Sequence, residues 1–210
     1  MLDSDVIPQL AIPELAIPEL GSSLPLIASD PRWLQVALAD LETVHADHLH
    51  CERKAASSAL SLIKSYPEQT DLVMAMARLA HDETRHVVQV AALLTRRKQP
   101  VSIDHGDAYA VQLRVVIRKK EPERLLDRLL VFAVIEGRSA ERLGLLAGAL
   151  DDPKSRELYA YLAEAEVRHR DIFLALARDL APATWRARAG ELAEVEARVL
   201  ANHPILARIH

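Results

Sequence analysis

Glu83-Thr84-Arg85-His86 and Glu166-Val167-Arg168-His169 are two copies of one short motif, and their positions decide the fold. Each copy follows a lone glutamate at nearly the same interval: Glu83 follows Glu52 by 31 residues, and Glu166 follows Glu136 by 30. Residues i and i+3 are neighbours on a helix surface, so each Glu and His pair can hold one metal ion. The spacing therefore predicts a ligand-bearing helical hairpin that occurs twice, as in di-iron carboxylate four-helix bundles.

The predicted ligands lie within apolar helical stripes, where carboxylates are costly. On the second predicted helix, for example, Leu79, Glu83, His86 and Val90 share one face. Four carboxylates near the centre of a bundle would repel one another unless cations lay between them. The predicted metal ligands are Glu52, Glu83, His86, Glu136, Glu166 and His169.

Other interpretations of these acidic residues stay open at this point. Glu42-Thr43-Val44-His45 has the same spacing, but Glu42 lies roughly 15 Å along the helix from Glu52, too far for a compact metal pair. The six residues could instead lie on solvated faces, or form core salt bridges with neighbouring arginines. The arginines in question are Arg53, Arg85, Arg138 and Arg168. If metals are bound, the candidates for orienting the ligands are His48, Asp82 and the matched Arg85 and Arg168.

Composition indicates a helical protein with one well-buried domain. Half of the 210 residues are hydrophobic, and only six are glycine. The net charge of −4 argues only mildly against binding to nucleic acid, because metals would offset the four predicted ligand carboxylates.

The single cysteine, Cys51, excludes an intramolecular disulfide framework, a cysteine-based zinc site and a rubredoxin-type iron centre. We therefore expect a cytoplasmic protein. The longest strongly apolar stretch, residues 129–135, is too short for a membrane span, and no targeting segment is evident.

The pattern along the chain predicts an all-α protein in three segments. Residues 1–29 repeat an Ile-Pro motif and are expected to form a proline-containing arm, residues 30–182 to form the bundle, and residues 183–210 to form a helix and tail packed on it. The four bundle helices are predicted from Asp30 to near Tyr66, from 69 to 97, from 122 to 150 and from 153 to 180. A long crossover, 99–121, joins helices two and three and holds a short helix, 108–119; the last helix is expected over 184–200.

Mixed carboxylate and imidazole ligands suit iron or manganese better than zinc or copper. Four carboxylates and two histidines leave open coordination positions on both metals, where oxygen could bind. The expected chemistry is reductive activation of dioxygen by a di-iron centre, and the spacing does not specify which glutamates bridge the metals.

Four stretches of the chain resemble one family, the tRNA 2-methylthio-N6-isopentenyladenosine hydroxylases, over roughly residues 30–180. The stretches are His50-Cys51-Glu52-Arg53-Lys54-Ala55-Ala56, Leu79-Ala80-His81-Asp82-Glu83-Thr84-Arg85-His86, Ile135-Glu136-Gly137-Arg138-Ser139-Ala140 and Glu164-Ala165-Glu166-Val167-Arg168-His169. The resemblance implies a ferritin-like fold and a non-haem di-iron monooxygenase. Such an enzyme hydroxylates the isopentenyl side chain of the modified adenosine, using two iron ions, O2 and electrons from a separate reductase.

A tRNA substrate would require a basic surface near the metal centre. The visible basic clusters are Arg96-Arg97-Lys98 and Arg114 with Arg118-Lys119-Lys120. We expect His45 and His48 on or near the ligand face, and the histidines outside the ligand set and that face on the surface, namely His50, His81, His105, His203 and His210.

Two other function classes remain possible from sequence. One is iron or peroxide handling, as in ferritins and rubrerythrins, which share the bundle. Rubrerythrins, however, carry a cysteine-rich module that is absent from this sequence. The other is a metal-free helical scaffold, which the ligand stripe disfavours.

Overall fold

A computed structural model describes residues 23–210, so most of the predicted N-terminal arm lies outside the described residues. Within that range the chain forms seven helices and no strand, which confirms the all-α prediction. The helices are α1 (Arg32–Ala39), α2 (Leu41–Ser65), α3 (Thr70–Arg96), α4 (Ala108–Val115), α5 (Glu123–Ala149), α6 (Pro153–Leu180) and α7 (Trp185–Asn202).

The four long helices α2, α3, α5 and α6 form the predicted bundle. Helices α2 and α3 pack together as one hairpin, α5 and α6 pack as the other, and α3 meets α6 across the centre. Each helix turns an apolar face inward, and buried residues such as Leu62, Met76, Leu130 and Phe173 fill the core. The long crossover between helices two and three and the peripheral helices are confirmed.

The first predicted helix was wrong in one respect, because the chain breaks at Asp40. Asp40 has φ −140° and ψ 64°, outside the helical region, and its side chain accepts a hydrogen bond from the Thr43 N–H as the N-cap of α2. A short helix, α1, therefore precedes the bundle helix α2, and α1 begins at Arg32 rather than at the predicted Asp30.

Helix α4 ends at Val115 rather than at residue 119 as predicted. The buried Asp127 carboxylate of α5 accepts hydrogen bonds from both the backbone N–H and the guanidinium of Arg118. Arg188 of α7 binds the same carboxylate. These bonds hold residue 118 against α5, and the chain therefore departs from helical geometry before residue 118.

A buried ion pair attaches the outer elements to α5. Arg138 is 1% exposed and donates to both carboxylate oxygens of Glu196 on α7, at 2.8 and 3.0 Å. It also donates to the Ile27 carbonyl and to Ser29, in the described end of the arm. Arg138 therefore fixes both α7 and residues 27–29 close to Glu136, two positions earlier on the same helix.

None of the helices in residues 23–210 combines the length and apolar character that a membrane crossing requires.

Replacing Glu196 with Ala should lower the free energy of unfolding by about 3 kcal/mol, because removing one partner leaves the Arg138 charge buried with less compensation. Urea unfolding would measure the change. The matched control is Glu194→Ala, an exposed glutamate on the same helix, which should change stability by less than about 0.5 kcal/mol. Equal effects of the two substitutions would contradict a stabilising role for the ion pair.

Candidate metal centre

All six predicted ligands are buried in the middle of the bundle. Glu52 comes from α2, Glu83 and His86 from α3, Glu136 from α5, and the remaining pair, Glu166 and His169, from α6. Each is at most 4% exposed. Buried carboxylates require a partner, so their interactions decide what the site can do.

Donor atoms from α3 and α6 converge on one point. One donor atom from each of Glu83, His86, Glu166 and His169 lies within 4.8 Å of the others. His169 Nδ1 lies 2.7 Å from Glu83 Oε1, and His86 Nδ1 lies 3.3 Å from Glu52 Oε2. The two copies of the motif therefore face each other, and Glu52 joins the same cluster.

Glu136 completes the group through its electrostatic contact with Glu166. Burial raises the pKa of Glu136 well above its usual range, and the charges of Glu166 and Glu52 raise it further. Burial also raises the pKa of Glu83, together with the charges of Glu166 and Glu52. Burial and mutual repulsion thus make these two carboxyl groups harder to ionise than free glutamate, and nearby cations would lower both pKa values.

Several polar atoms of this cluster have no hydrogen-bond partner among the described residues: Glu83 Oε1 and Oε2, Glu166 Oε1 and His169 Nδ1. The 2.7 Å contact between Glu83 and His169 is short but not aligned as a hydrogen bond. Buried polar atoms are nearly always satisfied. Unsatisfied oxygen and nitrogen lone pairs that converge in one buried site fit the donor set of hard or borderline divalent metals.

The alternative of core salt bridges with arginine receives no support from these contacts. Arg53 pairs with Asp104, Arg85 with Asp82, and Arg138 with Glu196. The solvated-face alternative conflicts with the burial of all six side chains.

His48 is the candidate orienting residue that the structure places at the site. Its Nε2 lies 2.6 Å from Glu52 Oε1, and both side chains are almost completely buried. Burial tends to raise the pKa of Glu52, but the hydrogen bond and charge of His48, together with hydrogen bonds to His86 and Glu83, outweigh burial and hold that pKa well below its usual range. Asp82 instead pairs with Arg85 at the surface.

A cavity opens beside the cluster. Glu52, Glu136 and Glu166 form part of its wall, and apolar residues such as Phe132, Ile135 and Leu143 form another part. The remaining lining residues are His48, Cys51, Lys54, Ala55, Ser58, Asp107, Ala110, Arg114, Ser139 and His210. The crossover thus contributes to the wall through Asp107, Ala110 and Arg114.

The prediction for His210 was wrong, because its side chain is only 5% exposed and lines this cavity. It stacks on Tyr109 with ring centroids 5.3 Å apart and contacts Ser139 and Asp107. Ser139 is a further cavity residue that was not predicted from sequence. Its spacing from Glu136, one helical turn along the same helix, could have indicated that Ser139 lies near the ligands. No local sequence pattern identifies His210 or Asp107 as a cavity residue.

A basic groove adjoins the cavity and shares Arg114 with it. The groove is lined by Arg114, Ile117, Arg118, Lys119, Arg124 and Arg128. The crossover cluster predicted from sequence therefore lies next to the site, extended by two arginines of α5. Arg96 of the other cluster contacts Asp152 and Ser155, and the described cavity lining does not include residues 96–98.

Comparison with known proteins gives consistent matches over most of the chain. The family model tRNA-(MS[2]IO[6]A)-hydroxylase (MiaE) matches residues 24–210. The tRNA 2-(methylsulfanyl)-N(6)-isopentenyladenosine(37) hydroxylase of Pseudomonas putida is 41% identical over 172 residues, covering 82% of this chain and 83% of that protein. The protein of the same name from Salmonella typhimurium is 29% identical over 230 residues, covering 87% and 82%.

A solved structure supports the same fold. "Protein 43 with aldehyde deformylating oxygenase activity from Synechococcus" superposes with a TM-score of 0.82 and 36% identity, covering 88% of this chain and 94% of that chain. This match confirms the ferritin-like fold. Because the family model spans 24–210 and the Pseudomonas relative is 41% identical over most of its length, this chain belongs to the tRNA-(MS[2]IO[6]A)-hydroxylase (MiaE) family.

Proposed function

We propose that this protein is a di-iron monooxygenase that hydroxylates the isopentenyl side chain of 2-methylthio-N6-isopentenyladenosine in tRNA. The observation that carries the proposal is the convergence of Glu83, His86, Glu166 and His169 at the centre of the bundle, with the buried carboxyl groups of Glu52 and Glu136 beside them, in a chain of the hydroxylase family. Family membership favours this function over the alternative of ferritin-like or rubrerythrin-like iron and peroxide handling. Action on tRNA would place the reaction in the cytoplasm.

Two iron ions would be held by Glu52, Glu83, His86, Glu136, Glu166 and His169. When bound, they would supply the reductive activation of O2, with electrons from an external reductase. The overall reaction consumes one O2, two electrons and two protons, and converts one C–H bond of the substrate to C–OH with release of one water. His48 would hold Glu52 in a fixed orientation through its 2.6 Å contact.

The cavity provides the apolar surroundings that an isopentenyl chain requires. Phe132 and Ile135 line it next to Glu136 and pack against one hydrophobic cluster of the bundle, and Leu143 belongs to the other cluster. An apolar wall excludes water from the reacting carbon and holds the chain beside the ligand cluster. The same residues would thus select an alkenyl chain over a polar substituent.

The basic groove would bind the phosphates of the tRNA. Arg114, Lys119 and Arg124 are exposed there, whereas Arg118 is already engaged with Asp127. Because Arg114 lines both the groove and the cavity, an RNA backbone in the groove would hold a nucleotide at the cavity mouth.

The function is tested by incubating the protein with iron, a competent reductant, O2 and tRNA that carries the unhydroxylated nucleoside. Digestion and mass spectrometry should reveal a nucleoside with one added oxygen atom. If the nucleoside remains unchanged although the protein binds iron, the proposed activity is wrong.

The ligand assignment predicts about two irons per chain in the purified protein, with loss of most of the metal in a Glu83→Ala, His86→Ala variant. Elemental analysis and the thermal stability with and without chelator would measure both effects. Glu42→Ala is the matched control, because Glu42 belongs to a motif of equal spacing on α2 but is exposed. Equal metal content in all three proteins would contradict the assignment.

Substituting Lys119 and Arg124 together with Ala should weaken tRNA binding, because fewer phosphates are then neutralised. The slope of log Kd against log salt concentration should fall by about one for each phosphate that the variant no longer binds. Binding titrations at several salt concentrations would measure the slope. The control carries Arg97→Ala and Lys98→Ala, from the basic cluster at the end of α3. A larger change in slope for the control would assign tRNA binding to that cluster instead.

A further inference from the structure

Three residues outside the proposed ligand set form a connected chain on the cavity wall. Ser139 Oγ lies 2.8 Å from His210 Nε2, at hydrogen-bond distance, and His210 Nδ1 lies 3.3 Å from Asp107 Oδ2. All three residues line the cavity that includes Glu52 and Glu136. They come from α5, from the segment after α7 and from the N-cap of α4, so only the folded chain brings them together.

The carboxylate of Asp107 favours one tautomer of His210, and that tautomer assigns the donors and acceptors along the chain. A carboxylate accepts and does not donate, so Asp107 favours a proton on His210 Nδ1. His210 Nε2 is then the acceptor for the Ser139 hydroxyl proton, as its 2.8 Å distance allows. The hydroxyl proton is thereby engaged, and the lone pairs of Ser139 Oγ remain available to accept a hydrogen bond from a molecule in the cavity.

The surrounding contacts hold this arrangement in place. The Ile209 N–H donates to Asp47 at 2.8 Å, and the Ile209 carbonyl accepts from Arg142 at 3.0 Å. The His210 ring stacks on Tyr109 at an interplanar angle of 11°. Asp107 also accepts from the backbone N–H of residue 110 as the cap of α4. Groups fixed by such contacts bind a ligand with little loss of entropy.

The position of Ser139 relative to Glu136 indicates which substrate atom the Ser139 hydroxyl would contact. One helical turn, about 5.4 Å, separates the two residues along α5. The terminal carbons of an isopentenyl group are four bonds, roughly 5 Å, from the purine nitrogen that carries it, given bond lengths near 1.5 Å. A substrate whose terminal carbon lies at the ligand cluster, and whose alkenyl chain runs along α5 toward the C-terminal end of that helix, therefore has its N6–H at the level of Ser139.

We infer that Ser139 accepts a hydrogen bond from the N6–H of the prenylated adenine, and that His210 and Asp107 position its hydroxyl for this contact. The inference rests on the proposed function, since it assigns a specificity-determining residue of the same cavity. It makes the enzyme selective for a secondary amine at the point where the alkenyl chain joins the base.

The same order of groups occurs in serine hydrolases, but here it suits binding rather than nucleophilic attack. A nucleophilic serine requires nearby backbone N–H groups to stabilise an oxyanion. Ser139 lies in the middle of α5, where the backbone N–H groups are engaged in helical hydrogen bonds. The hydroxyl is therefore placed to accept a hydrogen bond, and the helix offers no oxyanion site around it.

The test compares two anticodon stem–loop RNAs, one with the natural N6–H and one in which an ether oxygen replaces that N–H group. Wild-type protein and the Ser139→Ala variant, both loaded with iron, are assayed with each RNA for kcat/KM and for the fraction of consumed O2 that appears in the product. Ser65→Ala, an exposed serine at the end of α2, is the matched control. Ser139→Thr keeps the hydroxyl and should retain most of the activity.

With the natural RNA, Ser139→Ala should lower kcat/KM by about 5- to 10-fold, the usual effect of removing one hydrogen bond, and should lower the fraction of O2 coupled to product. With the ether RNA, the wild type should lose a similar factor and Ser139→Ala no further activity, because both changes remove the same bond. Additive losses would overturn the inference while leaving the hydroxylase function intact. If the wild type hydroxylates neither RNA, the proposed function is overturned and the inference with it.

Discussion

Four carboxylates buried in the centre of one helical bundle are the constraint on which the rest of this structure depends. Glu52, Glu83, Glu136 and Glu166 are each at most 4% exposed, and burial and mutual repulsion raise the pKa of two of them, Glu83 and Glu136. A protein that only had to fold would gain stability from apolar residues at these positions. The cluster is therefore understandable as a binding site for cations, and the helices around it must be rigid enough to hold unfavourable charges together.

The bundle helices and the crossover have different roles, because the ligand cluster requires a rigid surrounding. Helices α2, α3, α5 and α6 supply the proposed ligands, and their long apolar faces provide the packing that offsets the buried charge. The crossover supplies one wall of the cavity, which includes Asp107 and Arg114, and most of the basic groove. Ion pairs of Asp127 with Arg118 and Arg188 attach this segment to α5 and α7. Under the proposed function, binding of the tRNA phosphates would thus rest largely on elements outside the ligand-bearing core, although they are fixed to it.

Most of this architecture could be predicted from the sequence because the decisive signals are local. The i, i+3 spacing of Glu83 with His86, repeated in α6, depends only on helix geometry, and it located the centre of the bundle. The break at Asp40 was missed because residues 30–65 keep a helical apolar period across it, and one N-cap interaction interrupts the helix without disturbing that period. The burial of His210 was not predicted, because it depends on contacts with residues up to 159 positions away, such as Cys51. No short stretch of sequence contains that information. The prediction for the N-terminal arm stays untested over residues 1–22, which lie outside the described structure.

Helix α5 carries both residues that local sequence patterns predict and residues whose contacts depend on the whole fold. Within little more than two turns this helix carries Phe132 and Ile135 on the cavity wall, Glu136 in the ligand cluster, Arg138 in the ion pair with α7, and Ser139 in contact with His210. A rotation of α5 would therefore move the metal ligand, the apolar wall and the polar wall together. Arg138 opposes such a rotation, because its guanidinium is bonded on one side to Glu196 and on the other to Ser29 and the Ile27 carbonyl. Arg138 therefore helps to hold the cavity wall in register with the proposed metal ligand Glu136, although Arg138 is not among the residues that line the cavity.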